Sequence, residues 1–153
     1  MNPHTLVDLL GVAHPILQGG MTWVSRHELA AAVSQAGALG VIGSGGMEPD
    51  DFRAEILALR GKTSRPFGVN IPLVNVRPDG DDSIVERLVE IALEERVRIV
   101  VTSAGSPSRY TQRFKSAGTI VIHVVPSPRL AQKAEAAGVD AVVAESTEAG
   151  GHV

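Results

Sequence analysis

Cysteine is absent from all 153 residues. That excludes disulfides, thiolate metal sites and a cysteine nucleophile, and it accords with a reducing compartment. Aromatic residues are scarce, at 3%, so the core is expected to be built from Val, Ile, Leu and Ala, as in sheets covered on both faces by helices. No excess of basic charge appears. The formal net charge of -3 leaves no electrostatic footprint for nucleic acid or an anionic membrane, and neither partner is expected. No run of roughly 18 apolar residues occurs, and no basic segment leads into a short apolar core at the N-terminus. A cytoplasmic protein is the expectation. With 44% hydrophobic and 20% charged residues, the chain reads as one globular domain over residues 1–153, long enough to bury a sizeable core.

What is present is an alternation of short apolar runs with amphipathic segments. Strands are predicted over Pro15–Gln18, Leu39–Ile42, Phe67–Ile71, Ile99–Thr102, Ile120–Val125 and Ala141–Glu145, each short and bounded by Gly, Pro or Ser. Helices are predicted over Arg26–Gln35, Pro49–Leu59, Ser83–Glu95, Ser108–Ser116 and Ser127–Ala136. Ser25 with Glu28 reads as a capping box, and Ser83 with Glu86 as a second. Gly37, Gly61, Gly118 and Gly138 stand where left-handed helix ends are needed. The unit recurs about every 25–30 residues, which gives successive βα units with parallel strands.

A doubly wound sheet and a (β/α)8 barrel both fit this pattern. The first strand is followed by no Gly-x-Gly-x-x-Gly, and no acid ends the second to hold a ribose, which argues against a dinucleotide-binding sheet. Polar or glycine-rich loops after every strand suit a barrel, whose site collects contributions from many strand ends. Six strands do not close one. The expected fold is therefore α/β of the TIM-barrel type, (β/α)8, present as about the first six βα units.

The strand ends carry the chemistry. Gln18-Gly19-Gly20-Met21-Thr22-Trp23 places two glycines where backbone N–H groups approach a planar ligand, or where a tight turn is needed. Gly43-Ser44-Gly45-Gly46 is again backbone-rich and suited to an anion or a ring edge. Asn70 and Asn75 flank Pro72, and an amide there both donates to and accepts from a heterocycle, though a lone Asn is more often a turn residue. Thr102-Ser103-Ala104-Gly105-Ser106-Pro107 is small and polar, and is read as capping the next helix in preference to lining a substrate cavity. His123 is read as a hydrogen-bonded core residue, and His4, His14 and His27 are given no function. The last strand end differs, because Glu145, Glu148 and His152 share one loop with Gly150-Gly151. An imidazole titrates near neutrality and serves as acid, base or donor to a developing anion, with the carboxylates orienting it or holding substrate. The spacing matches no HExxH helix, and no metal is expected.

Together, Pro15-Ile16-Leu17-Gln18-Gly19-Gly20-Met21, Arg65-Pro66-Phe67-Gly68-Val69-Asn70 and Glu148-Ala149-Gly150-Gly151-His152 resemble the 2-nitropropane dioxygenase-like family. That family of FMN-dependent TIM-barrel enzymes includes nitronate monooxygenases and flavin-type enoyl-acyl-carrier-protein reductases. The resemblance implies that Gly20, Met21 and Thr22 lie against the isoalloxazine of FMN, that Asn70 bonds the ring or ribityl region, and that Gly151 and His152 flank the flavin. His152 matches the active-site histidine, placed to help remove the α-proton of a nitroalkane or to stabilise the nitronate, while Glu145 and Glu148 are expected near the substrate. In the reductases the electrons come instead from NAD(P)H.

The opening Leu10-Gly11-Val12-Ala13-His14-Pro15-Ile16 looks more like the monooxygenases, and nitronate monooxygenase is the first expectation. Val124 stands where some nitronate-oxidising members place a lysine, and the run Val124-Val125-Pro126-Ser127 looks closer to the reductases, which makes enoyl reduction the alternative. Family members are longer, and their FMN phosphate sits on later glycine-rich loops. Weak FMN binding by this polypeptide is accordingly expected. A second alternative is a non-catalytic remnant whose exposed strand edges pair with another copy.

Overall fold

The structure is a computed structural model, and it describes residues 5–74 and 83–150. In chain order the elements are α1 (Leu6–Leu10), α2 (His27–Gln35), β1 (Gly40–Gly43), α3 (Pro49–Lys62), β2 (Phe67–Pro72), α4 (Ser83–Glu94), β3 (Ile99–Ser103), α5 (Thr111–Ser116), β4 (Ile120–Val125), α6 (Pro128–Ala136) and β5 (Ala141–Ala144). A 3-10 turn at Pro107–Arg109 precedes α5.

The five strands form one sheet in the order β1-β2-β3-β4-β5, and every neighbouring pair is parallel. Strand order equal to chain order is what successive right-handed βα units produce when they wind in one direction. A doubly wound sheet would reverse at a switch point. Segment 15–18 continues the series through one parallel bridge, Leu17 with Leu39. Gln18 N–H donates to the Leu39 carbonyl at 2.9 Å and Leu39 N–H to the Ile16 carbonyl at 2.9 Å. The strand expected over Pro15–Gln18 is thus reduced to that bridge, since Pro15 has no N–H to extend the ladder.

Residues on successive positions of a strand face opposite sides, and this alternation sorts the core in two. Val69, Ile71, Val100 and Val121 pack with Ile56, Val89 and Phe114 of the helices. Val41, Ile99, Val101 and Ile122 face the other way and pack with Leu10 of α1. The inner face of the half-barrel is therefore filled by side chains and plugged by α1, a helix the sequence pattern did not predict. Both faces are apolar, in keeping with strands that read as nearly continuous Val and Ile.

Helix ends hold mostly as expected. Gly37, Gly118 and Gly138 are left-handed (φ 90, 76 and 88). At the end of α4 the same conformation is taken by Arg96 (φ 49), whose N–H donates to the Leu93 carbonyl at 2.9 Å. Two expectations fail. Gly61 does not end α3, which runs to Lys62 and stops at the extended Thr63, where the chain must straighten before Pro66. Ser25 does not cap α2, because Arg26 holds that position without a side-chain bond and the Ser25 hydroxyl is engaged elsewhere. No helix among the described residues is long and apolar enough to cross a membrane.

Gly40 sits where α2 crosses β1. A Cβ there would lie 1.9 Å from the Ala30 carbonyl oxygen, whereas one at Gly61 meets nothing within 4 Å. Gly40→Ala is therefore expected to lower stability by about 3 kcal/mol, since backbone cannot give way, and Gly61→Ala to raise it by about 0.5–1 kcal/mol through helix propensity. Urea denaturation of the two variants checks both signs.

Candidate active site

The carboxyl ends of the strands are joined by close backbone approach. A Cβ on Gly20 would fall 2.4 Å from the Asn70 Cβ, one on Gly43 3.0 Å from the Met21 carbonyl oxygen, and one on Gly45 2.6 Å from the Thr22 hydroxyl. Segment 19–22 therefore lies directly on the ends of β1 and β2. The structure brings Gly20, Met21, Thr22 and Asn70 into one patch although about 50 residues separate them in the chain. Only glycine permits this contact.

Ser25 holds the segment down. It is completely buried. Its hydroxyl accepts from Met21 N–H at 2.9 Å and from Gln18 Nε2 at 2.9 Å, and donates to the Gly19 carbonyl at 3.1 Å. Gln18 Nε2 also donates to the Val41 carbonyl at 3.0 Å, and Gly43 N–H to the Ser25 carbonyl at 3.0 Å. A serine hydroxyl has one proton and two lone pairs, and all three are used. This is why the capping box does not form. The Gln18 and Ser25 side chains are site-building residues that the sequence pattern missed, because Ser-x-x-Glu is a stronger local signal than a Gln seven residues upstream.

Asn70 alternates with Val69 and Ile71 and so faces the inner side. It is buried, and its amide nitrogen donates to the Val101 carbonyl and to the Ser103 hydroxyl, each at 3.2 Å. Both amide protons are thereby used, and what the side chain offers a ligand is the acceptor Oδ1. Ser44 anchors the next loop through its N–H to the Asn70 carbonyl at 3.1 Å. Two loops at this end are held in left-handed backbone by residues other than glycine, Trp23 (φ 67) and Ala104 (φ 49), a conformation sparsely populated for L residues and concentrated at ligand sites. Trp23 is 66% exposed, with the Arg26 guanidinium 5.9 Å from its ring centroid.

The other candidates divide. His123 faces the helix side in register with Thr102, is buried, and has Nδ1 2.8 Å from the Thr102 hydroxyl. Burial lowers its pKa, a hydrogen bond with Thr102 opposing this. It is a core residue, as expected. Ser106 does not cap the turn that follows; its hydroxyl pairs with that of Ser108 at 2.9 Å. Glu145 follows β5 on the parity of Ala141 and Val143, which pack on the inner core, and it is half-buried. Glu148 is exposed on a turn closed by Ala149 N–H to the Ser146 carbonyl at 2.9 Å. Asn75, Gly151 and His152 lie outside the described residues. His27 gathers two carboxylates, but its Nδ1 is 2.9 Å from Glu55 and its Nε2 2.9 Å from Glu28. Opposite sides of the ring face different acids, a hydrogen-bonded clamp rather than one ion's shell.

Parallel strands in chain order, an outer helical layer, an inner apolar core and backbone-lined loops at the carboxyl ends define a partial (β/α)8 barrel. The nitronate monooxygenase family model matches residues 4–153, and the chain belongs to that family. It is 36% identical over 94% of its length to a nitronate monooxygenase of Pseudomonas aeruginosa, covering 50% of that protein. It is 35% identical over 96% of its length to the (3aS,4S,5R,7aS)-5-hydroxy-7a-methyl-1-oxo-octahydro-1H-indene-4-carboxyl-CoA dehydrogenase of Mycobacterium tuberculosis, covering 39% of it. The solved structure of FabK from Thermotoga maritima superposes with a TM-score of 0.87 at 53% identity, over 97% of this chain and 45% of that one. The chain thus spans half or less of the length of these relatives.

Ser25→Ala leaves Met21 N–H without its partner and takes one bond each from Gln18 Nε2 and the Gly19 carbonyl, and is expected to cost about 1–3 kcal/mol in chemical denaturation. His123 adds a pH dependence. Its folded pKa is depressed, so its contribution is complete above the unfolded value near 6.5 and declines as pH falls through that value toward the folded one. His123→Asn is expected to flatten the loss of melting temperature between about pH 7 and pH 5.

Proposed function

We propose that this chain forms the ring-facing part of an FMN-dependent oxidoreductase. The observation that carries the reading is the contact of Gly20 with Asn70, which sets a backbone-surfaced floor beside an inward amide oxygen. Glycine backbone and an acceptor suit a flat heterocycle that presents N–H and hydroxyl donors. FMN, when bound, supplies the redox chemistry. Gly20, Met21 and Thr22 would support the ring, and Asn70 would accept from the ring or ribityl chain. Gly151 would let the final loop approach, and His152 would hold or move the substrate proton, oriented by Glu145 or Glu148. Those roles rest on the family resemblance together with the placement of β5 at the same end of the sheet.

Two substrate classes follow. Nitronate oxidation with O2 draws on the family match and on the 36% identity to a nitronate monooxygenase. Reduction of an enoyl thioester with NAD(P)H draws on the 53% identity to FabK and on Val124 in place of a lysine. The second reading has the greater identity behind it, and we place it first, reversing the order that the opening residues favoured.

With FMN supplied in excess, NAD(P)H-dependent reduction of an enoyl thioester is expected without oxygen-dependent turnover of an alkyl nitronate; the opposite pattern restores the monooxygenase. His152→Gln is expected to reduce turnover by about 10²–10⁴-fold, the range for loss of a general acid or base. Gly20→Ala should abolish FMN binding. FMN is expected to bind the 153-residue polypeptide weakly, and a tight stoichiometric absorbance titration would overturn that.

A further inference from the structure

At the opposite end of the sheet, a cleft of ≈ 230 Å³ opens between the starts of β2 and β3, lined by Arg60, Ser64, Arg65, Phe67, Arg96 and Arg98 among others. Four arginines line it in a chain whose net charge is negative. Of the nearby acids, only Glu95 pairs with one of them, Arg60. Glu94 is taken by Arg53 and Arg87, and Glu95 by Arg53 and Arg60. Arg65, Arg96 and Arg98 make no ion pair among the described residues. Like charges gathered without partners repel, and an anion relieves that repulsion.

The backbone makes the same point independently. After α2, α5 and α6 the left-handed residue is glycine, at Gly37, Gly118 and Gly138. After α4 the equivalent place is held by Arg96 (φ 49), with Val97 N–H bonding the Ala92 carbonyl at 2.9 Å. A Cβ in that conformation is strained. The one unit that tolerates the strain is the one whose side chain lines the cleft. Arg65 and Arg98 stand in the turns that lead into β2 and β3, strands that pair in parallel with Gly68 in register with Ile99.

We propose that this cleft binds a phosphate-bearing anion of diphosphate size, with Arg65, Arg96 and Arg98 as its ligands. Guanidinium groups recognise phosphate oxygens by paired N–H donors, which suits several arginines around one multivalent anion. The space, equal to several water molecules, admits a diphosphate.

The test uses pyrophosphate as probe, followed by calorimetry and by thermal unfolding of the whole polypeptide. A saturable rise in melting temperature is expected, beyond that given by sodium chloride at equal ionic strength. Arg96→Gly is expected to raise the melting temperature without ligand by about 2–4 °C, because strain is relieved, and to weaken pyrophosphate binding at least about tenfold. Arg98→Gln, which leaves the backbone untouched, should weaken it likewise. Tighter binding of ADP than of pyrophosphate would point to a nucleotide as the source, and equal binding to a free phosphate. A shift that sodium chloride reproduces, or an affinity unchanged in both variants, overturns the proposal.

Discussion

The mouth of this half-barrel depends on a single buried hydroxyl, that of Ser25, which binds three loop groups at once and leaves none of its own capacity unused. Through Gln18 it reaches the Val41 carbonyl at the β1 ladder, and through its own carbonyl it receives Gly43 N–H. Segment 19–22 is thereby fixed against two strands rather than left as a solvent-facing turn. Fixing it is what makes the glycine contacts possible, since Gly20 can rest on Asn70 only if the loop cannot lift. The satisfaction of buried polar groups and the shape of the site are one arrangement.

The same economy governs Asn70. An asparagine on the inner face of a central strand would carry a large desolvation penalty unpaired, and two acceptors on β3 remove most of it. These bonds also fix which end of the amide turns to the mouth. A residue that the sequence marks only as polar at a strand end thus acquires a definite polarity from its neighbour strand. Binding of a donor-bearing ring at this point requires no reorganisation of the side chain, the condition under which a polar contact adds most to affinity.

Much of the fold was legible because parallel βα units write each step twice, once as a β-branched run and again as a glycine-ended helix. Five of the six expected strands and all five expected helices appear, displaced by a few residues at their ends. Most of what fails shares one cause. The Ser25 cap, the helix end at Gly61 and the strand at Pro15–Gln18 follow from local pattern, and tertiary contacts decide otherwise. Helix α1 leaves no periodic signal because it has only five residues. Its Leu10 is placed by the inner core rather than by propensity. At the site, Gly20, Met21, Thr22 and Asn70 were legible as strand ends, whereas Gln18 and Ser25 became visible only through distance.

The two ends of the sheet are chemically unlike, and strand direction explains why. At the carboxyl end the polar groups are largely backbone, exposed by glycines and steadied by Ser25 and Asn70. Such a surface recognises shape and hydrogen-bonding pattern with little net charge. At the amino end the backbone is consumed by helix ends and by the ladder, and recognition there falls to long side chains, of which the arginines at 65, 96 and 98 are the concentrated case. A barrel places catalytic loops at one end so that the other is free to serve stability. In this chain the stability end carries unpaired cations and a strained Arg96, both of which oppose stability. A feature that costs folding energy at a face meant to supply it is best understood as serving a ligand.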